Sequence, residues 1–259
     1  MQRKGARLEF FDCNVAIGVP MNRPANAWGP PVASACDLMR HMDRACVRKA
    51  LVWHVMQRDH HPVIGNEQLA HAIRGNDRLI GCWALLPNHA RELGDLDAFF
   101  AAAKRANVRA FRVFPSTNRF VLNRRALGEV MDRLIQSQAP LFIRMDEASW
   151  ENLYSLLWEA PDLRVVLTNM WMWGSDRYFR PLMESHRHVY IETSSHIVDG
   201  GIESFVADYG AERLLFGSAF PDSYMGAMML ALAHAEISEA DKRAIASGNL
   251  ERLLSEVSL

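Results

Sequence analysis

The sequence predicts an α/β protein: a single (β/α)8 TIM barrel over residues 1–259, ending in a C-terminal helical tail. Three observations predict it. Short apolar runs alternate with helix-like stretches along the chain. Eight such runs in 259 residues match a closed barrel better than an open doubly wound sheet. The phosphate-cradling signatures GxGxxG and GxxxxGK(S/T) are both absent, which weakens the nucleotide-binding alternative.

The strands are expected at Leu8–Ala16, Lys49–Val55, Arg78–Leu86, Val108–Phe114, Pro140–Asp146, Leu163–Asn169, His188–Ser194 and Arg213–Ala219. Between them lie stretches such as "SACDLMRHMDRACV", "LDAFFAAAKRAN" and "SWENLYSLLWEA", whose apolar residues recur at three- and four-residue spacing. "GND" before Arg78 and "APDL" before Arg164 read as helix-ending signals. The Pro- and Gly-rich segment 18–34 reads as a long loop over the barrel mouth, and nothing marks a second domain.

Composition narrows the function. The 29 basic and 30 acidic side chains nearly cancel, so no global field favours nucleic acid or an anionic membrane. Four scattered cysteines without a CxxC pair suggest neither a disulfide framework nor a structural zinc site. No apolar run has signal-peptide or membrane-spanning length, so the cytoplasm is the expected location. A homo-oligomer is compatible with the sequence.

Strand side chains alternate faces, and in this barrel class the outward set packs on helices and is apolar. On that rule Arg112 points inward from strand four, Phe142, Arg144 and Asp146 from strand five, and Tyr190, Glu192 and Ser194 from strand seven. It also directs His54 and Trp83 inward from strands two and three, and Asp12, Asn14 and Ala16 from strand one. Asn169 ends strand six and Ala219 ends strand eight. A barrel centre rich in arginine, glutamate, histidine and asparagine must pair its polar groups with each other, with water or with a ligand.

Several segments carry a resemblance over nearly the whole chain. They are "GAERLLFGSAFP" at the eighth strand, the closing "GNLERLL", and "HMDRACVRKALVWH", "GNEQLAHAIRGNDRLIGCWALLP" and "RPLMESHRHVYIETSS". Together they resemble the amidohydrolase-related branch of the amidohydrolase superfamily. The resemblance implies a metal-dependent-hydrolase barrel. Members that use metal hold it with H-x-H on strand one, histidines ending strands five and six, and an aspartate ending strand eight. The matching positions here are Asn14 and Ala16, Arg144, Asn169 and Ala219. None offers imidazole or carboxylate, so no metal or other cofactor is expected. A relocated metal site would draw on His60, His61 and His196.

These residues point to acid–base chemistry on a small anionic substrate: hydrolysis of an ester, lactone or amide, or a decarboxylation or hydration. Arg144 and Arg112 would hold a carboxylate or stabilise an oxyanion. His54 and Glu192 would move protons, while Asn14 and Asn169 orient the substrate. Asp222 stands at the mouth or caps a helix, and Trp171 forms an apolar wall or packs beneath a loop. Against this stand two readings: the arginines pair with Glu192 or Asp146 as a structural ion network, or the chain is an inactive relative that binds a metabolite or partner.

Overall fold

The computed structural model describes residues 8–21, 32–170, 175–195 and 198–259. Eight parallel strands follow chain order: β1 (Phe10–Ile17), β2 (Val47–His54), β3 (Leu79–Ala84), β4 (Val108–Val113), β5 (Leu141–Arg144), β6 (Val165–Thr168), β7 (Val189–Glu192) and β8 (Leu214–Leu215). The chain beyond β8 returns to β1. The Cys13 N–H donates to the Phe216 carbonyl at 2.9 Å and the Ala16 N–H to that of Phe220 at 2.8 Å, so the sheet closes. This is the expected (β/α)8 barrel.

Local chemistry starts the intervening helices. Ser34 and Asp37 form a reciprocal capping box on the helix Ala35–Ala45. Asp95 and Ser149 cap the helices Leu96–Arg105 and Trp150–Glu159 by accepting a backbone N–H from the first turn. The apolar faces of these helices meet the outward residues of the sheet, such as Val52, Phe111, Ile143 and Ile191.

A second apolar cluster fills the barrel itself: Phe11, Leu51, Cys82, Phe142, Val166 and Leu215 are among its members. So are Leu250, Leu253 and Leu254 of the helix Asn249–Ser255, which plugs the barrel floor. Burying each leucine contributes about 1.5–3 kcal/mol. Asn249 seats that helix by donating through Nδ2 to the Ala211 and Leu214 carbonyls, at 2.7 and 2.9 Å. Arg48–Glu251 and Arg164–Glu256 ion pairs tie it to the strand entrances. The tail therefore seals the end opposite the mouth. No helix among the described residues is long and apolar enough to cross a membrane.

Strands two and three, and part of strand one, depart from the expected phase. On β2 the interior residues are Leu51 and Trp53, followed by Val55, so His54 is one step out of phase. On β3 Cys82 faces inward, and Trp83 packs outward on Phe99 at a ring-centroid distance of 5.4 Å. On β1 a register shift between Asp12 and Val15 puts Phe11, Cys13 and Ala16 in the interior cluster and turns Asp12 toward Ser218.

Candidate functional site

Where the end of β7 and the chain after β8 meet β1, two carboxylates lie buried with no basic partner among the described residues. Glu192 is 2% exposed and accepts four hydrogen bonds. Its Oε1 receives the Asn169 N–H at 2.8 Å, the Ser194 hydroxyl at 2.5 Å and, more weakly, Asn14 Nδ2 at 3.4 Å. Its Oε2 receives the Ser194 N–H at 2.6 Å. Asn14 Nδ2 also donates to Asn169 Oδ1 at 3.0 Å, so Asn14, Asn169 and Glu192 form one network. Asn169 has the left-handed φ of 51° that asparagine tolerates better than most side chains, and so aims its N–H at the carboxylate.

Asp12 lies beside this group. Its Oδ1 accepts the Asn14 and Ser218 N–H groups at 3.1 and 3.0 Å, and its Oδ2 accepts the Ser218 hydroxyl. Burial pushes Asp12 up to about 7 despite those donors, and the charge of Glu192 adds to the rise. Glu192 is likewise raised, mainly by burial, with its donors opposing. Gly217 makes room for it: a Cβ there would stand 2.3 Å from Glu192 Oε2 and 3.1 Å from Cys13 Sγ.

The opposite wall is cationic. Arg144, at the end of β5, donates through Nε and Nη2 to both oxygens of Asp146, at 3.0 and 2.8 Å. Of the partners weighed for the arginines, this one forms. Asp146 stands in the turn that follows β5, two residues on and within reach of the Arg144 side chain. Arg112, on β4, is 1% exposed, and among the described residues none of its three guanidinium nitrogens has a hydrogen-bond partner. Its Cζ lies over the rings of Trp53, Phe114 and Phe142, at 4.7, 5.8 and 5.9 Å. Each such contact is worth roughly 0.5–2 kcal/mol, against several kcal/mol for burying the ion. Burial lowers its proton affinity, and the nearby positive charge of Arg144 acts the same way. The Cys82 thiol sits close enough to oppose that shift yet makes no hydrogen bond of normal geometry. A neutral thiol is a weak acceptor in any case.

His54 is half-buried, its Nδ1 accepting the Met56 N–H at 3.2 Å. Burial lowers its proton affinity, and among the described residues no hydrogen bond joins it to Glu192 or Arg144. Asp222 is exposed in the turn after β8 and contributes to the field at Arg144; the helix Met225–His234 takes Tyr224, not Asp222, at its N-cap. Trp171 and His196 lie outside the described residues. Sequence reasoning gave no role to Asp12, Ser194, Gly217 or Ser218. A lone serine or glycine carries no signal, although Ser218 lies within the eighth-strand block that carried the resemblance.

The donor set does not suit a metal ion. At the positions a metal would require stand Asn14, Ala16, Arg144, Asn169 and Ala219, and the guanidinium of Arg144 would repel a divalent cation. His61 Nδ1 accepts the Val63 N–H, and its Nε2 lies 3.0 Å from Glu92, so this ring serves a helix start and an ion pair. Among the described residues no three His, Cys, Asp or Glu side chains are grouped to hold an ion.

Fold and site thus define a barrel of the metal-dependent-hydrolase type, with hydrogen-bond donors and a guanidinium where ligands would stand. The chain belongs to the amidohydrolase family, whose model, described as Amidohydrolase, matches residues 45–255. No curated protein matches it. Solved structures share its fold at low identity. An uncharacterized TIM-barrel protein from Bordetella bronchiseptica has a TM-score of 0.72 and 16% identity, covering 96% of this chain and 99% of that one. The 5-carboxyvanillate decarboxylase of Sphingomonas paucimobilis gives 0.70 and 15%, covering 97% and 100%. A dihydroxybenzoic acid decarboxylase from Polaromonas sp. JS666, solved with manganese and 2-nitroresorcinol, gives 0.74 and 16%, covering 96% and 97%.

Proposed function

We propose that this chain is a metal-independent acid–base enzyme acting on a small carboxylate, with Glu192 as its proton carrier. The observation that carries the reading is Glu192 itself. It is a buried carboxyl with raised proton affinity and no basic partner, placed at the strand ends where this fold class puts its chemistry. A carboxyl with raised proton affinity suits donation better than activation of water, so decarboxylation fits better than hydrolysis. The bond to the carboxyl carbon breaks, CO2 leaves, and the electron pair left on carbon takes the proton from Glu192. The decarboxylases among the structural relatives support the same substrate class. Asn14 and Asn169 would orient the substrate, and Arg144, with Nε and Nη2 engaged by Asp146, offers Nη1 to its charge.

A second reading, ligand binding without turnover, draws support from the Arg144–Asp146 pair, which already engages two of the guanidinium nitrogens. One assay separates the two: a panel of aromatic and aliphatic carboxylates followed for CO2 and product release, with and without a chelator. The enzyme reading expects turnover that survives chelation and falls about 100- to 10,000-fold in Glu192→Gln. Turnover lost on chelation, or unchanged in the variant, overturns it. Saturable binding with no product leaves the second reading.

A further inference from the structure

We propose that the barrel interior holds a small monovalent anion against the edge of the Arg112 guanidinium, in a site walled by Trp53, Phe114 and Phe142. The case is one of accounting. Three guanidinium nitrogens carry five N–H donors, all buried, and among the described residues none has a conventional acceptor, the neighbouring Cys82 thiol being a weak one. The aromatic rings that approach the Arg112 Cζ offer no lone pair in their planes, so the contacts that hold Arg112 leave its N–H donors without a conventional acceptor.

The carboxylates of the two walls are committed elsewhere, and Asp222, which acts on Arg144, is exposed in the turn after β8. Asp146 is bound through both oxygens to Arg144, and Asp12 and Glu192 take their donors from Ser218, Ser194, Asn14 and Asn169. The adjacent thiols, Cys13 and Cys82, are buried and neutral. Loss of the proton is no remedy, because guanidinium stays charged at any pH at which proteins fold. Water could accept the N–H groups, but it would leave Arg112 facing the like charge of Arg144 with no counter-charge. One negative charge balances one free cation, and a doubly charged anion would exceed what the site offers.

The anion has two sources of the same chemistry: an inorganic ion from solution, or the carboxylate head of a small acid. The assignment does not depend on any reaction at Glu192. The test is thermal unfolding of the intact protein in sodium sulfate, with sodium bromide or sodium acetate exchanged in at constant ionic strength. The expected result is a saturable rise in Tm, on the order of 5 °C at a hundredfold excess over Kd, absent in Arg112→Gln. A rise with bromide marks an inorganic ion; a rise with acetate alone marks a carboxylate head. If Arg112→Gln does not fold, Arg112→Lys takes its place, keeping the charge without the five-donor edge, and should weaken the midpoint at least tenfold. If neither variant folds, bromide or acetate density at the Arg112 edge in crystals of the wild type supports the site, and its absence in both salts overturns it. No saturable rise over sulfate in the wild type, or an equal rise in a folded variant, overturns the proposal.

Discussion

The two walls of the barrel mouth solve the problem of buried charge in opposite ways. On the β7–β8–β1 side, Asp12 and Glu192 have several hydrogen-bond donors and, among the described residues, no cation. On the β4–β5 side, Arg112 has aromatic rings and, among the described residues, no conventional acceptor. The acidic wall can answer its own desolvation by keeping a proton, which is why burial raises both carboxyls. The basic wall has no such outlet, since a guanidinium does not give up its proton. The opposite charges stay apart, held by separate partners, although pairing them would neutralise both. The difference teaches that the acidic wall is complete as it stands, and that the basic wall needs something the chain does not supply.

The largest expected effect tests the acidic wall through pH. Asp12 has its folded-state value raised to about 7 from 3.8, so the folded state binds more protons than the unfolded state between those values. Its contribution is fully present below about 4 and is lost as the pH rises through about 7, a change of roughly 4 kcal/mol. Surface ion pairs titrate too, so the quantity to follow is the stability of the wild type minus that of Asp12→Asn, from urea unfolding at pH 4 to 8. A flat difference would mean that Asp12 is ionised throughout, with a counter-charge the acidic wall does not show.

Next in size is Gly217→Ala. The new methyl group would collide with Glu192 Oε2, which cannot move without giving up donors from Asn169 and Ser194. A loss of about 3 kcal/mol is expected by urea unfolding. The same substitution in a Glu192→Ala background should cost less than about 1 kcal/mol, because its collision partner is gone. Equal costs in both backgrounds would show that Gly217 matters for some reason other than Glu192.

How far these walls were legible in the sequence depends on what each strand had to say about phase. "PLFIRMD" and "HVYIETSS" carry apolar residues on one parity and polar or aromatic ones on the other, so the placements of Arg144 and Glu192 could be read. In "KALVWHV" and "LIGCWAL" both parities are largely apolar, as expected of parallel strands buried on both faces. Phase there had to be chosen on the one polar or bulky residue, and His54 and Trp83 misled it. A bulge is silent in a residue pattern, so the turn of Asp12 toward Ser218 could not be foreseen. The barrel was legible from the count of alternating runs. The closing "GNLERLL" could be recognised as a motif, but its task of plugging the floor depends on where the helix lands.

The smallest expected effect sharpens the contrast within the basic wall, between its paired and unpaired arginines. Asp146→Asn removes the charge that holds Arg144 while keeping the side chain's shape. The Asp146 side chain is 57% exposed, so solvent screens the pair, and a loss of only about 0.5–1 kcal/mol is expected by urea unfolding. Arg144 would then join Arg112 as an arginine without a carboxylate, and the bromide or acetate midpoint should tighten, since the repulsion between two less compensated cations now favours an anion between them. A stability loss above about 3 kcal/mol would mean that Arg144 and Asp146 behave as a fully buried pair, and the basic wall would then rest on that pair more than on Arg112. A midpoint that does not move would place the anion on the far side of Arg112, against Trp53 and away from β5.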